Sequence, residues 1–165
     1  MESLLPSALD ALARKVIEAN IAHDRRVVLA ESCTGGLVSA ALTEVPGSSA
    51  VLDRGFVTYS NESKIEMLGV PLDIIETFGA VSIACAWAMA KGALTRSNAD
   101  VAVAISGIAG PTGGTALKPV GSVVFARVVR GQESDPEGEL KKFEAGSRAD
   151  IRREAAMCAL ELLMP

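Results

Sequence analysis

Ser32 stands where a short apolar run gives way abruptly to a helical pattern. Val27-Val28-Leu29 leads into Ala30-Glu31-Ser32-Cys33-Thr34-Gly35-Gly36-Leu37. The pattern predicts a strand, a tight turn, and a helix that continues through Val38, Ala41 and Leu42. A junction of this kind gathers unpaired backbone N–H groups and the positive end of a helix dipole, and small residues let an anionic or polar ligand come close. Its hydroxyl is a weak nucleophile until a neighbouring base accepts the proton.

The usual base is histidine, and the chain has one, His23, at the tail of the first helix. His23 precedes the strand whose far end carries Ser32, and a strand of six or so residues is roughly 20 Å long. A Ser-His or Cys-His dyad is therefore not expected, and a multi-His metal site is excluded. Lysine remains, because burial or nearby positive charge can lower its pKa toward neutrality. Lys64 and Tyr59 follow a strand of their own, and both would reach the edge that carries Ser32 if the two strands run parallel. The local sequence by itself favours a solvated helix lysine at Lys64 and an ordinary strand residue at Tyr59.

Cys33 reads as a small buried thiol, and alternation along an extended segment would let only one of Ser32 and Cys33 face a given pocket. Cys85 and Cys158 read as packing residues. The loop Gly107-Ile108-Ala109-Gly110-Pro111-Thr112-Gly113-Gly114-Thr115 lacks the Lys-Ser/Thr ending of a nucleotide-triphosphatase loop. It reads equally as a sheet-edge loop or as a ligand contact. Arg152 and Arg153 are most simply solvated, while Arg148 could cap a helix or pair with a phosphate.

Composition narrows the class further. Apolar residues make up 49% of the 165, aromatics only 4%, and the formal charge is -4. Direct nucleic-acid binding is not expected, since it needs a basic face or clustered aromatics. Three cysteines without metal-ligand spacing suit a reducing cytoplasm. No basic start with a long apolar core marks a signal peptide, and no apolar run approaches the roughly 20 residues that span a bilayer.

These residues need a scaffold. Helices are expected over Ser7–Ala22, from Asn61 to Gly69, over Pro71–Phe78, Ser82–Thr95 and Arg148–Leu163. Strands are expected over Arg25–Ala30, Val51–Tyr59, Asp100–Ser106 and Gly121–Val129, with an edge strand over Leu140–Phe143 after an acidic turn over Gly131–Gly138. The continuous run Val101-Ala102-Val103-Ala104-Ile105 is of the type buried on both faces. Helices before, between and after strands imply a single α/β domain over residues 1–165. The expected architecture is a three-layer α/β/α sandwich around a mixed, mostly parallel sheet. The last two strands lie too close together for a helical crossover and should pair as a hairpin. The small-residue helices Ser82–Thr95 and Arg148–Leu163 would suit a self-associating surface.

Several motifs together resemble one family. They are Ala-Glu-Ser-Cys-Thr-Gly-Gly at 30–36, Pro-Gly-Ser-Ser at 46–49, Tyr-Ser-Asn-Glu-Ser-Lys at 59–64, Ser-Gly-Ile-Ala-Gly-Pro-Thr-Gly-Gly at 106–114, and Phe143 with Gly146-Ser147-Arg148. The chain resembles the C-terminal domain of the competence/damage-inducible protein CinA from about residue 7 onward. Stand-alone forms of that family are nicotinamide mononucleotide deamidases. The resemblance implies hydrolysis of the nicotinamide carboxamide to nicotinate mononucleotide and ammonia, with no cofactor and no metal. It places Ser32 at the family's serine, Lys64 at its lysine, Tyr59 at its tyrosine and Arg148 at an arginine that meets substrate. The matched motifs add Thr34, Gly35, Gly36 and Ser48 as candidate substrate contacts. Ser106, Gly107, Gly110 and Thr112 complete that set, Ser106 standing where threonine is common. By the same resemblance, backbone N–H groups near Thr34–Gly36 would hold an oxyanion or a phosphate, the assembly would be a homo-oligomer, and the ADP-ribose hydrolysis of larger members is not expected. The rival reading is a nucleotide sensor without turnover, or a regulatory protein of competence or DNA damage.

Overall fold

The computed structural model describes residues 2–144 and 146–165. Its backbone is a five-stranded sheet in the order β2-β1-β3-β4-β5. The strands are β1 (Val27–Glu31), β2 (Leu52–Val57), β3 (Val101–Gly107), β4 (Ser122–Val129) and β5 (Glu137–Lys142). β1 pairs in parallel with both β2 and β3, and β4 runs antiparallel to β3 and to β5. Every strand except β4 therefore points the same way, as a mixed and mostly parallel sheet requires.

Alternation along the strands divides the core in two. Val27, Leu29, Val103, Ile105 and Phe125 face α1 (Ser7–Ala22), α2 (Leu37–Thr43) and α6 (Arg148–Leu162). Val28, Ala30, Ala102, Ala104 and Ala126 face the other way, toward α3 (Asn61–Leu68), α4 (Leu72–Phe78) and α5 (Ile83–Thr95). The three-layer sandwich follows directly from that period of two. Each buried Val or Leu contributes about 1.5–3 kcal/mol relative to exposure. The side built of alanines gains its packing from close approach instead.

Gly92 marks that approach. A Cβ there would meet the carbonyl oxygen of Leu68 at 1.9 Å, so α5 packs directly on the end of α3. Of the small residues on the two long helices, Ala86, Ala90 and Ala93 of α5 and Ala155, Ala156 and Ala159 of α6 are buried within the chain. The last strand starts three residues earlier than its apolar content suggested. Pairing with β4 sets Glu137 opposite Arg127, and their side chains form an ion pair at 3.1 Å. Edge strands tolerate such exposed charge. No helix among the described residues is long and apolar enough to cross a membrane.

Candidate functional site

Parallel pairing of β1 with β2 and β3 brings the carboxyl ends of all three to one sheet edge. In register, Glu31 lies opposite Val57 on one side and Ile105 on the other. Ser32 follows β1, Tyr59 follows β2, and Ser106 and Gly107 end β3. Ligands of open α/β sheets bind at such an edge. Here the edge holds a cavity of about 280 Å³.

Lys64 is the central side chain. It lies on α3, whose N-cap Ser60 accepts the N–H of Ser63. Lys64 and Leu68, four residues apart, share the buried face of that helix. The lysine is 1% exposed, the opposite of the solvated side chain its local sequence favours. The packing of α5 against α3 turns it inward. Its Nζ lies 3.2 Å from Ser32 Oγ, 2.9 Å from the carbonyl oxygen of Thr58 and 3.2 Å from that of Tyr59. Ser32 is itself 7% exposed. Burial lowers the Lys64 pKa, against a smaller upward pull from the thiols of Cys85 and Cys33.

Those three contacts define what the amine can do. As an ammonium it has three N–H groups and three acceptors. Once neutral, two N–H groups remain for the carbonyls of Thr58 and Tyr59, and the lone pair is left facing Ser32 Oγ. That is the arrangement of a general base beside a nucleophile.

The rest of the cavity comes from three segments. Ser106, Gly107, Gly110 and Thr112 border it from β3 and the loop after it. Tyr59 and Arg148 also border it. Arg148 Nη2 donates to the Tyr59 hydroxyl at 3.0 Å and Nη1 to the Gly110 carbonyl at 2.7 Å. This guanidinium joins α6, the end of β2 and the glycine loop.

A family model described as the CinA C-terminal domain matches residues 9–165. The chain belongs to that family. It is 46% identical over 151 residues to a CinA-like protein of Akkermansia muciniphila, covering 91% of this chain and 36% of that one. With a CinA-like protein of Mycobacterium marinum it shares 51% over 146 residues, 88% of this chain and 33% of that one. The chain thus spans about a third of the length of these curated relatives. The crystal structure of competence/damage inducible protein CihA from Agrobacterium tumefaciens superposes with a TM-score of 0.93 at 48% identity, covering 98% of this chain and 97% of that one. A CinA superfamily protein of Escherichia coli gives 0.88 at 33% identity, over 98% and 92%.

Within this CinA fold the turn after Ser32 is organised differently from its sequence reading. The N-terminus of α2 is already occupied. Glu31, fully buried, accepts from Val38 N–H at 3.0 Å, from Ser39 N–H at 3.0 Å and from the Ser39 hydroxyl at 2.7 Å. An internal carboxylate takes the place that an anionic ligand would need. Thr34, Gly35 and Gly36 lie outside the residues that border the cavity. Thr34 is 0% exposed, and its hydroxyl has no partner among the described residues. Ser48 sits in a 3₁₀ turn before β2, at the amino-terminal end of the sheet and so away from Ser32.

Cys33 borders the cavity together with Ser32, because β1 has ended at Glu31 and strict alternation no longer applies. Its thiol joins the core, where burial pushes its pKa up to about 11. His23 is exposed at the end of α1. Among the described residues no three His, Cys, Asp or Glu side chains gather as a metal-ligating group. The structure adds Asn61, Ala80, Val81, Ile108 and Ala109 to the lining. Asn61 lies in the 59–64 motif, three residues before Lys64, and Ile108 and Ala109 lie in the glycine loop, whereas Ala80 and Val81 carried no signal. Arg152, expected in solvent, is half-buried and donates to the carbonyls of Cys33 and Thr34.

Proposed function

We propose that this protein hydrolyses the carboxamide of nicotinamide mononucleotide to nicotinate mononucleotide and ammonia, with Ser32 as nucleophile and Lys64 as general base. The observation that carries this reading is the 3.2 Å approach of a buried amine, its other donors held by two carbonyls, to the hydroxyl of Ser32. The substrate comes from the family resemblance and suits a small cavity with one guanidinium at its wall.

Neutral Lys64 takes the proton of Ser32 as Oγ attacks the amide carbon, and the carbonyl becomes an oxyanion. Collapse of that adduct breaks the C–N bond, while the Lys64 ammonium returns the proton to the departing nitrogen. Ammonia leaves and an ester to Ser32 remains. Water then enters, gives a proton to Lys64 and attacks the ester, and Ser32 regains its proton as the acid product departs. The low-dielectric site strengthens each contact along this path. Arg148 is placed to meet the substrate phosphate, which would displace its bond to Tyr59.

A cytoplasmic location, no requirement for cofactor or metal, and a homo-oligomeric state belong to the same proposal. The relatives' names, which speak of competence and damage, favour a second reading as a regulatory nucleotide binder. Ammonia assay and calorimetric titration with nicotinamide mononucleotide separate the two. Turnover supports the hydrolase, and saturable binding without ammonia supports the binder.

A further inference from the structure

A second hollow lies at the far end of the helix that carries Lys64, and it shares no lining residue with the catalytic cavity. Its volume is about 390 Å³, and sites for small molecules run from roughly 300 to 1,000 Å³. One wall is a single face of α5, where Trp87 and Lys91 stand four residues apart and Arg96 follows at the C-cap. The small residues Ala88 and Gly92 leave the hollow open between them. Pro71 and Ile74, at the start of α4, form the apolar side across from α5.

The charge of this lining has one sign. Lys91 and Arg96 border the hollow and no carboxylate does. Among the described residues neither cation forms an ion pair. Lys91 Nζ stands over the Trp87 ring, 5.7 Å from its centroid, a cation–π distance. Arg96 lies against Gly69, where a Cβ would meet Nη2 at 2.8 Å. Its side chain makes one hydrogen bond among the described residues, from Nη1 to the Gly92 carbonyl at 3.3 Å. The guanidinium is thus held at the hollow with most of its donors unspent.

That combination selects a ligand. Two unpaired cations favour an anion, and a guanidinium presents its N–H groups in the fork that suits a carboxylate. The walls of Trp87, Pro71 and Ile74 gain only if the anion also carries an apolar body that displaces water from them. We propose that this hollow is a second binding site, one that takes a small aromatic carboxylate, with its charge between Arg96 and Lys91 and its ring against the apolar walls. The inference is independent of the reaction at Ser32.

Trp87 is the only tryptophan of the chain, so its emission reports on this hollow. Benzoate serves as the probe, titrated into the full chain with fluorescence and calorimetry in parallel. We expect a saturable change in emission with a dissociation constant of about 1 mM or tighter, the scale of a small ligand held by few contacts. Ser32→Ala should behave as wild type does. Benzamide, which has the ring without the charge, and acetate, which has the charge without the ring, should bind at least about tenfold more weakly. Arg96→Gln and Lys91→Gln remove exposed charges and should stay folded, while each weakens benzoate by about tenfold. Ala88→Leu, which fills the hollow and keeps both cations, should abolish the response. An emission change that only grows linearly with benzoate overturns the inference. So does equal binding of benzamide or acetate, or an affinity within threefold of wild type in the doubly substituted Lys91→Gln/Arg96→Gln protein.

Discussion

Gly92 of α5 and Leu68 of α3 touch backbone to backbone: a Cβ on Gly92 would stand 1.9 Å from the Leu68 carbonyl oxygen. Lys64 lies one helical turn before Leu68, so this contact sets how far the amine reaches toward Ser32. Gly92→Ala must push α3 outward. Overpacking of this kind costs about 1–3 kcal/mol, which should appear as a lower thermal midpoint by calorimetry. The same shift should withdraw Lys64 and reduce kcat about tenfold or more, since small misplacements of a base are costly. Gly92→Ala with wild-type kcat would mean that the contact does not position the base.

The buried amine also makes a prediction about pH. Burial lowers the Lys64 pKa in the folded state, whereas the unfolded chain keeps the ordinary value of about 10.4. Between those two values the unfolded state binds more protons, so stability rises with pH across that window. Lys64→Met lacks the group and lacks the rise. In urea melts, the stability of wild type relative to Lys64→Met should therefore increase as pH climbs from neutral toward about 10. The rate should show an acid limb, also below the ordinary lysine value, as the base loses its proton.

Arg148 bridges Tyr59 and Gly110 on the exposed rim of the site. Its loss should leave stability within about 0.5 kcal/mol. A charge-assisted contact to phosphate is worth about 1.5–3 kcal/mol, so Arg148→Ala should raise KM for nicotinamide mononucleotide roughly tenfold to hundredfold. Steady-state kinetics would read the shift. Nicotinamide riboside, which has no phosphate, should be indifferent to the substitution.

Cys33 tests the choice of nucleophile. With its thiol held at about pKa 11 by burial, it has almost no thiolate at neutral pH. Cys33→Ala should keep kcat within about threefold, because the buried thiol takes no part in the proposed proton path. Its cost is a small cavity, about 1 kcal/mol of stability. Ammonia release lost in Cys33→Ala and retained in Ser32→Ala would hand the reaction to the thiol.

The sheet and the place of Ser32 at its edge were legible because they rest on local pattern. The run from Val101 to Ile105 reads as a strand buried on both faces, and the pattern after Val27-Val28-Leu29 places Ser32 in a strand-to-helix turn. Lys64 was named as a candidate, but its burial was not legible, because nothing within its own helix announces that a partner helix will cover it. Its inward face shows only in the spacing to Leu68 and in the glycine of α5 that admits α3. Glu31 and Arg152 escaped for the same reason. The Glu31 carboxylate caps a helix seven residues on only because the intervening turn folds back over it, and Arg152 reaches a turn 119 residues away. The four-residue step from Arg148 to Arg152 did hint that both lie on one face of α6.

The most direct measurement is acid-quenched mass spectrometry of the protein during turnover of nicotinamide mononucleotide, with ammonia release followed in parallel. The account predicts an ester of the nicotinate mononucleotide acyl group on the peptide that carries Ser32, and ammonia release at least about a thousandfold slower in both Ser32→Ala and Lys64→Ala. Ammonia released by Ser32→Ala at the wild-type rate, with no adduct on that peptide in the wild type, would contradict it.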